Sequence, residues 1–183
     1  MIKPIEIKNF LSNEECDEIV KKSESFEFQQ ARTSYTKIKD VANEKLNFNK
    51  RKIYYTPSDF FPELSEKILY KLGELNLLNG IKYTSIPGYS FNQYIKDDFL
   101  NYHIDGDEID HGATITLVLE LSDNFEGGEF VYKINDIEYS FEKGKGSLYI
   151  FDSNTLHKVN KLINGIRYSI NCWPRYSRKK SIL

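Results

Sequence analysis

A chain of 183 residues has room for one domain and for a core that needs no covalent staples. Hydrophobic residues make up 40% and charged residues 28%, the balance of a globular protein in water. The net charge of −2 gives nothing global that would draw nucleic acid or an anionic membrane, and no apolar run reaches the length of a membrane span.

The first eight residues, Met1-Ile2-Lys3-Pro4-Ile5-Glu6-Ile7-Lys8, alternate charged and apolar side chains, unlike a signal peptide. Cys16 and Cys172 sit near opposite ends, so a disulfide framework is not expected and a reducing, cytoplasmic setting is. Ser12-Asn13-Glu14-Glu15 spells a capping box, with Leu11 and Cys16 spaced as its hydrophobic staple. Cys16, Ile19 and Val20 continue an apolar stripe, which predicts a helix over about 13–25. Residues 26–52 are polar and weakly patterned; they read as a surface loop with short strands, part of it a lid over a site.

Pro57 and Pro62 bracket Phe60-Phe61. Leu64, Ile68, Leu72 and Leu75 then recur on one face of a second helix, which Asn79-Gly80 is expected to end. From Ile81 the period changes to two. Ile115, Leu117, Leu119 and Leu121 share one strand face; Thr114, Thr116, Val118 and Glu120 share the other. Phe130 to Ile134 and Ile137 to Phe141 flank Asn135-Asp136 as a hairpin. Further strands are expected over 147–151, 156–160 and 166–173, with Asn164-Gly165 as a turn between the last two. Helices first and many short strands after imply a mainly β chain with flanking helices (α+β), its strands in a sandwich or barrel. The expected organisation is a single domain over 1–183, with 1–80 as helical support and lid, and 81–175 as the β core. The basic end of the chain, 175–180, reads as a solvated tail.

The chemistry-bearing residues cluster late. His103 and Asp105 are two apart, so one strand end presents an imidazole and a carboxylate on the same face. His157, brought from another strand, would complete the two-histidine, one-carboxylate set of a mononuclear Fe(II) site with open positions. A structural zinc site would use four protein ligands, usually with cysteine, and none lies nearby. His111 is the third histidine, in the acidic stretch Asp107-Glu108-Ile109-Asp110-His111. Spacing alone leaves open a set made of His103, Asp105 and His111. The stretch lacks the spacing of an EF-hand and reads as a solvated rim.

Arg167, Ser169, Asn171 and Trp173 share one face of the last strand. A buried guanidinium is costly unless it meets an anion. A bound carboxylate, held by Arg167 and Ser169, is the favoured partner; a structural ion pair with Glu120 or Glu129 is the alternative.

From Phe91 to Trp173 these pieces together resemble the Fe(II)/2-oxoglutarate-dependent dioxygenases of the prolyl 4-hydroxylase type. The resemblance rests on Tyr94, His103-Ile104-Asp105, Thr116 through Asp123, Phe125-Glu126-Gly127-Gly128-Glu129-Phe130, Gly146 through Phe151, His157, and Gly165-Ile166-Arg167-Tyr168-Ser169. It implies a double-stranded β-helix, or jelly roll. It implies Fe(II) on His103, Asp105 and His157. It also implies 2-oxoglutarate with its distal carboxylate on Arg167 and Ser169, near Tyr94 and Thr116, and ascorbate as an optional further cofactor. Where several members place a tyrosine on the co-substrate, this chain has Glu120, an anion expected to pair with an Arg or Lys. The reaction implied is hydroxylation of an unactivated C–H, coupled to oxidation of 2-oxoglutarate to succinate and CO2. Related halogenases replace the carboxylate ligand with a small residue, whereas Asp105 is kept here. A peptidyl proline in a peptide or protein is the first substrate reading, and a free amino acid or other small molecule the second. A non-catalytic jelly-roll binding module and a cupin-like metal isomerase are the rivals.

Overall fold

The structure, a computed structural model, describes residues 2–31, 49–77, 82–105 and 115–177. In chain order the strands are β1 (Ile5–Ile7), β2 (Gln29–Gln30), β3 (Asn49–Lys50), β4 (Lys52–Pro57), β5 (Lys82–Ser85), β6 (Gly88–Tyr94), β7 (Phe99–His103) and β8 (Ile115–Glu120). They continue as β9 (Phe125–Gly127), β10 (Phe130–Ile134), β11 (Ile137–Ser140), β12 (Leu148–Asp152), β13 (His157–Val159), β14 (Leu162–Gly165), β15 (Arg167–Cys172) and β16 (Arg175–Ser177). Two α-helices, α1 (Asn13–Ser23) and α2 (Pro62–Leu75), precede most of them.

Two larger sheets carry the molecule. One has seven strands in the order β1-β12-β8-β15-β6-β4-β2; the other has five in the order β11-β10-β13-β7-β3. Neighbours far apart in sequence lie side by side, as β8 does between β12 and β15, and those pairs are antiparallel. Side-chain alternation gives the seven-stranded sheet two buried faces. Leu117, Leu119, Leu148, Ile150, Ile170 and Cys172 point to one side, where Cys16 and Ile19 of α1 and Leu64, Ile68 and Leu72 of α2 cover them. Tyr94, Val118, Tyr149 and Phe151 point to the other, against Leu100, Phe130 and Val159 of the five-stranded sheet. This is a mainly β jelly roll with helices on its outer face, as the sequence pattern and the resemblance imply.

The capping box forms as the sequence spells it. The Ser12 hydroxyl accepts from the Glu15 amide at 3.1 Å, and the Glu15 carboxylate accepts from the Ser12 amide at 2.7 Å. Lys67 of α2 donates to the same carboxylate at 2.7 Å, which ties the two helices together at their exposed edge. Asn135 and Asp136 adopt φ of 51° and 63° and make the tight turn of the β10–β11 hairpin.

The structure differs from the sequence expectations at particular places. Helix α1 stops at Ser23, whose hydroxyl donates back to the Val20 carbonyl at 2.6 Å. Helix α2 stops at Leu75, because Asn76 takes a left-handed conformation with φ of 44° and turns the chain out. Asn79-Gly80, the expected stop, lies outside the described residues. Asn164 and Gly165 belong to a strand rather than a turn: β14 pairs with β9. A Cβ at Gly165 would sit 2.6 Å from the Asn124 carbonyl, so this glycine permits a close backbone crossing. The seven-stranded sheet also recruits β1, β2 and β4, so it draws strands from both sides of residue 80. The lid expected within 26–52 falls largely on 32–48, outside the described residues. No helix among the described residues is long and apolar enough to cross a membrane.

Ile68 is fully buried between α2 and the sheet. Ile68→Ala is expected to lower unfolding free energy by about 2–5 kcal/mol in urea titrations while leaving metal stoichiometry unchanged, because the cavity opens on the far side of the sheet from the site.

Candidate metal centre

Strands β7 and β13 are antiparallel neighbours, and their register sets His103 directly opposite His157. That single pairing brings together two residues far apart in sequence. Their ring centroids are 4.1 Å apart. Asp105 lies just beyond β7, where its amide donates to the Ser153 carbonyl at 2.9 Å and fixes the bend. One Asp105 oxygen is 3.3 Å from His103 Nε2 and the other is 3.6 Å from His157 Nε2. One ligand atom from each of the three residues lies within 4.8 Å of the others.

These distances suit one small cation. Two ligand atoms at about 2.1 Å from an ion, and at right angles, lie about 3 Å apart. The tautomers suit it as well. His103 Nδ1 sits 2.9 Å from the Asn101 carbonyl and His157 Nδ1 sits 2.8 Å from the Thr155 carbonyl. A carbonyl only accepts, so each Nδ1 carries the proton and each Nε2 keeps its lone pair toward the shared point. Two imidazoles with one carboxylate, the group found among the described residues, is a donor set that suits Fe(II).

The surroundings hold these ligands still. His157 is buried between the Phe130 ring, stacked at 5.3 Å, and the edge of Phe151 at 4.9 Å. Burial pushes its basicity down to about 4, against the pull of Asp105, so at neutral pH it is unprotonated. Burial also works against charge on Asp105, but His157 and His103 outweigh it and hold the carboxyl well below the usual range. The Thr116 hydroxyl donates to Asp105 at 2.9 Å, from the facing sheet. Thr116 therefore orients a ligand, a task that sequence reasoning did not give it.

Arg167 and Glu120 are also buried between the sheets. Strand β15 runs between β6 and β8, so Arg167 faces Tyr94 across one side and Ser169 faces Glu120 across the other. Tyr94 lies under the guanidinium at 5.2 Å. Arg167 Nε and Nη2 both donate to one Glu120 oxygen, at 3.0 and 2.7 Å. The ion-pair reading ranked second on sequence is thus present. Both side chains are almost wholly buried, and each keeps one polar atom without a partner: Nη1 of Arg167 and Oε1 of Glu120. The turn before β10 makes room for them. Gly128 has φ of 63°, and a Cβ there would meet Leu162 at 2.7 Å and approach the Arg167 side chain at 3.5 Å.

Arg51 was missed on sequence. Its Nε donates to Asn92 Oδ1 at 3.0 Å, and one terminal nitrogen is buried and unpaired. It stands in a weakly patterned stretch between β3 and β4, where no periodicity marks a side chain as inward. His111 and the acidic stretch around it lie outside the described residues. The ligand set that includes His111 is therefore neither assembled nor dismantled here.

Comparison with known proteins follows the same residues. Residues 89–175 match the family model described as the 2OG-Fe(II) oxygenase superfamily. A PKHD-type hydroxylase of Idiomarina loihiensis is 31% identical over 88 residues, which cover 46% of this chain and 40% of that protein. A PKHD-type hydroxylase of Alteromonas mediterranea is 26% identical over 121 residues, covering 61% and 54%. The chain thus spans about half the length of these curated relatives. Among solved structures, a Pseudomonas putida prolyl-4-hydroxylase superposes with a TM-score of 0.73 at 17% identity, over 97% of this chain and 95% of that one. A Trichoplax adhaerens prolyl hydroxylase, solved with a peptide fragment of a hypoxia inducible factor, superposes with a TM-score of 0.74 at 19% identity, over 93% and 82%. Residues 89–175 thus match the 2OG-Fe(II) oxygenase superfamily in sequence, and the fold is the one seen in solved prolyl hydroxylases.

Thr116→Val keeps the shape of the side chain and removes its hydrogen bond to Asp105. It is expected to weaken Fe(II) or Mn(II) affinity by about 10- to 100-fold in equilibrium titration, with little change in thermal stability of the metal-free protein.

Proposed function

We propose that this protein is a 2-oxoglutarate-dependent dioxygenase that hydroxylates an unactivated C–H, with a peptidyl proline as the substrate class. The observation that carries the reading is the convergence of His103, Asp105 and His157 on one point, with a buried guanidinium, Arg167, over Tyr94 between the sheets. In this reading His103, Asp105 and His157 would hold Fe(II), a ligand set that suits an iron which also takes up co-substrate and O2. The bound iron supplies the redox chemistry: one oxygen atom of O2 enters the substrate as hydroxyl, and the other enters succinate as CO2 leaves.

The chain's own residues bind and orient. Arg167, cradled by Tyr94, offers its unpaired Nη1 to the distal carboxylate of 2-oxoglutarate, with Ser169 on the same strand face. Thr116 keeps Asp105 turned toward the metal. Phe130 and Phe151 wall off His157 from water, which protects the reacting centre from side reactions. As a ligand, Asp105 would take the place that a halide needs, which favours hydroxyl transfer over halogenation.

A peptide substrate is supported by the peptide fragment in the structure of the Trichoplax prolyl hydroxylase. Cys16 and Cys172 are both free and buried, which fits a reducing compartment such as the cytoplasm.

The test is product chemistry. Purified protein with Fe(II), 2-oxoglutarate, O2 and a proline-rich peptide library is expected to form succinate and to add about 16 Da to particular peptides, with both signals lost without iron or without 2-oxoglutarate. Succinate without any peptide product, but with a hydroxylated free amino acid, would move the substrate class to small molecules. Arg167→Ala is expected to weaken 2-oxoglutarate binding by about 10- to 100-fold, the loss of a charge-assisted pair.

A further inference from the structure

The Arg167–Glu120 pair sets a problem for a dianionic co-substrate. The charge that should receive its distal carboxylate is already neutralised. Both Nε and Nη2 of Arg167 are spent on one Glu120 oxygen. What remains is Nη1, a donor, and Glu120 Oε1, an acceptor when the carboxyl is ionised. An incoming carboxylate can use the first and is repelled by the second. Two carboxylates sharing one cation in a buried site bind a proton between them, because both cannot remain charged at close range.

We propose that Glu120 is a co-substrate-binding residue that acts as a neutral carboxylic acid: 2-oxoglutarate enters with one proton taken up by Glu120, whose O–H then donates to the distal carboxylate beside Arg167 Nη1. The inference rests on the dioxygenase reading above. Protonation turns Glu120 Oε1 from an acceptor into a donor and restores one net positive charge to the pair. Both unpaired buried atoms then have a task.

The local chemistry agrees. Burial raises the proton affinity of the Glu120 carboxyl, to about 7, against the opposing pull of Arg167. The other charged or titratable groups that face the pair are Tyr94 on β6, Tyr149 on β12, Cys16 on α1, and Lys143 and Asp123 in the loops. Burial makes Cys16 and Tyr149 hold their protons more tightly than usual, so neither competes to supply the transition near neutrality.

Calorimetry on the Mn(II)-loaded protein measures this without turnover. 2-Oxoglutarate is titrated in buffers of different ionisation enthalpy, at pH 6 and pH 8. The expected result is uptake of about one proton per molecule bound at pH 8, and binding about tenfold weaker at pH 8 than at pH 6, because the protonated fraction of a carboxyl that titrates in the middle of that interval falls about tenfold across it. Glu120→Gln, which donates through its amide without titrating, is expected to bind with no proton uptake and with equal affinity at both pH values. Binding by the unaltered protein without proton uptake overturns the inference and leaves the dioxygenase reading standing. Uptake that persists in Glu120→Gln places the proton elsewhere and also overturns it. No binding of 2-oxoglutarate to the metal-loaded protein at either pH overturns the dioxygenase reading, and the inference falls with it.

Discussion

The antiparallel register between β7 and β13 is the constraint on which the site depends. It sets His103 against His157 and leaves Asp105 one bend away. Because side chains alternate across a strand, a slip of one residue in either strand would turn an imidazole out of the cavity. The register is held from several sides. Strand β10 pairs with the other edge of β13, and Phe130 packs on His157 from it. The Asp105 amide is fixed to Ser153, and the Asp105 carboxylate to Thr116 on the opposite sheet. The three ligands thus come from one sheet and the bend beside it, and the Thr116 hydrogen bond ties them to the other.

The same interior carries two kinds of buried polar group. The ligands close to the mouth have their hydrogen bonds arranged so that lone pairs face one point. The Arg167–Glu120 pair, almost wholly buried, is incompletely satisfied, with one free atom on each partner. A buried ion pair is poor evidence for stability, since its desolvation cost offsets much of its attraction. Unpaired polar atoms on both partners are better explained by a ligand than by the fold. That difference separates the structural ion pair expected as an alternative from the pair observed, which has capacity left over.

Much of this was legible from residues alone. Alternation put His103 and Asp105 together, and they do meet, although Asp105 lies just past β7 at a bend; the hydrophobic period of β8 placed Thr116 and Glu120 together on the face opposite the leucines. The capping box at Ser12 and the Asn135-Asp136 turn follow from local chemistry that tertiary structure does not override. Less legible was anything decided between distant strands. The pairing of His157 with His103 came from resemblance, because spacing allowed His111 equally well. The hydrogen bond from Thr116 to Asp105 crosses between sheets and leaves no periodic trace. Strand β14 was hidden because Asn164-Gly165 has the composition of a turn, while here the glycine serves a close crossing with β9. Helix α2 ended early because an asparagine can take the left-handed cap usually expected of glycine.

The most direct measurement is anomalous diffraction from crystals of the protein soaked in Mn(II). The account predicts one strong peak per chain, bonded to Nε2 of His103, an oxygen of Asp105 and Nε2 of His157, with Arg167 in the same cavity and not on the metal. A peak held by His111 in place of His157, or no ordered ion among these residues at saturating Mn(II), would contradict it.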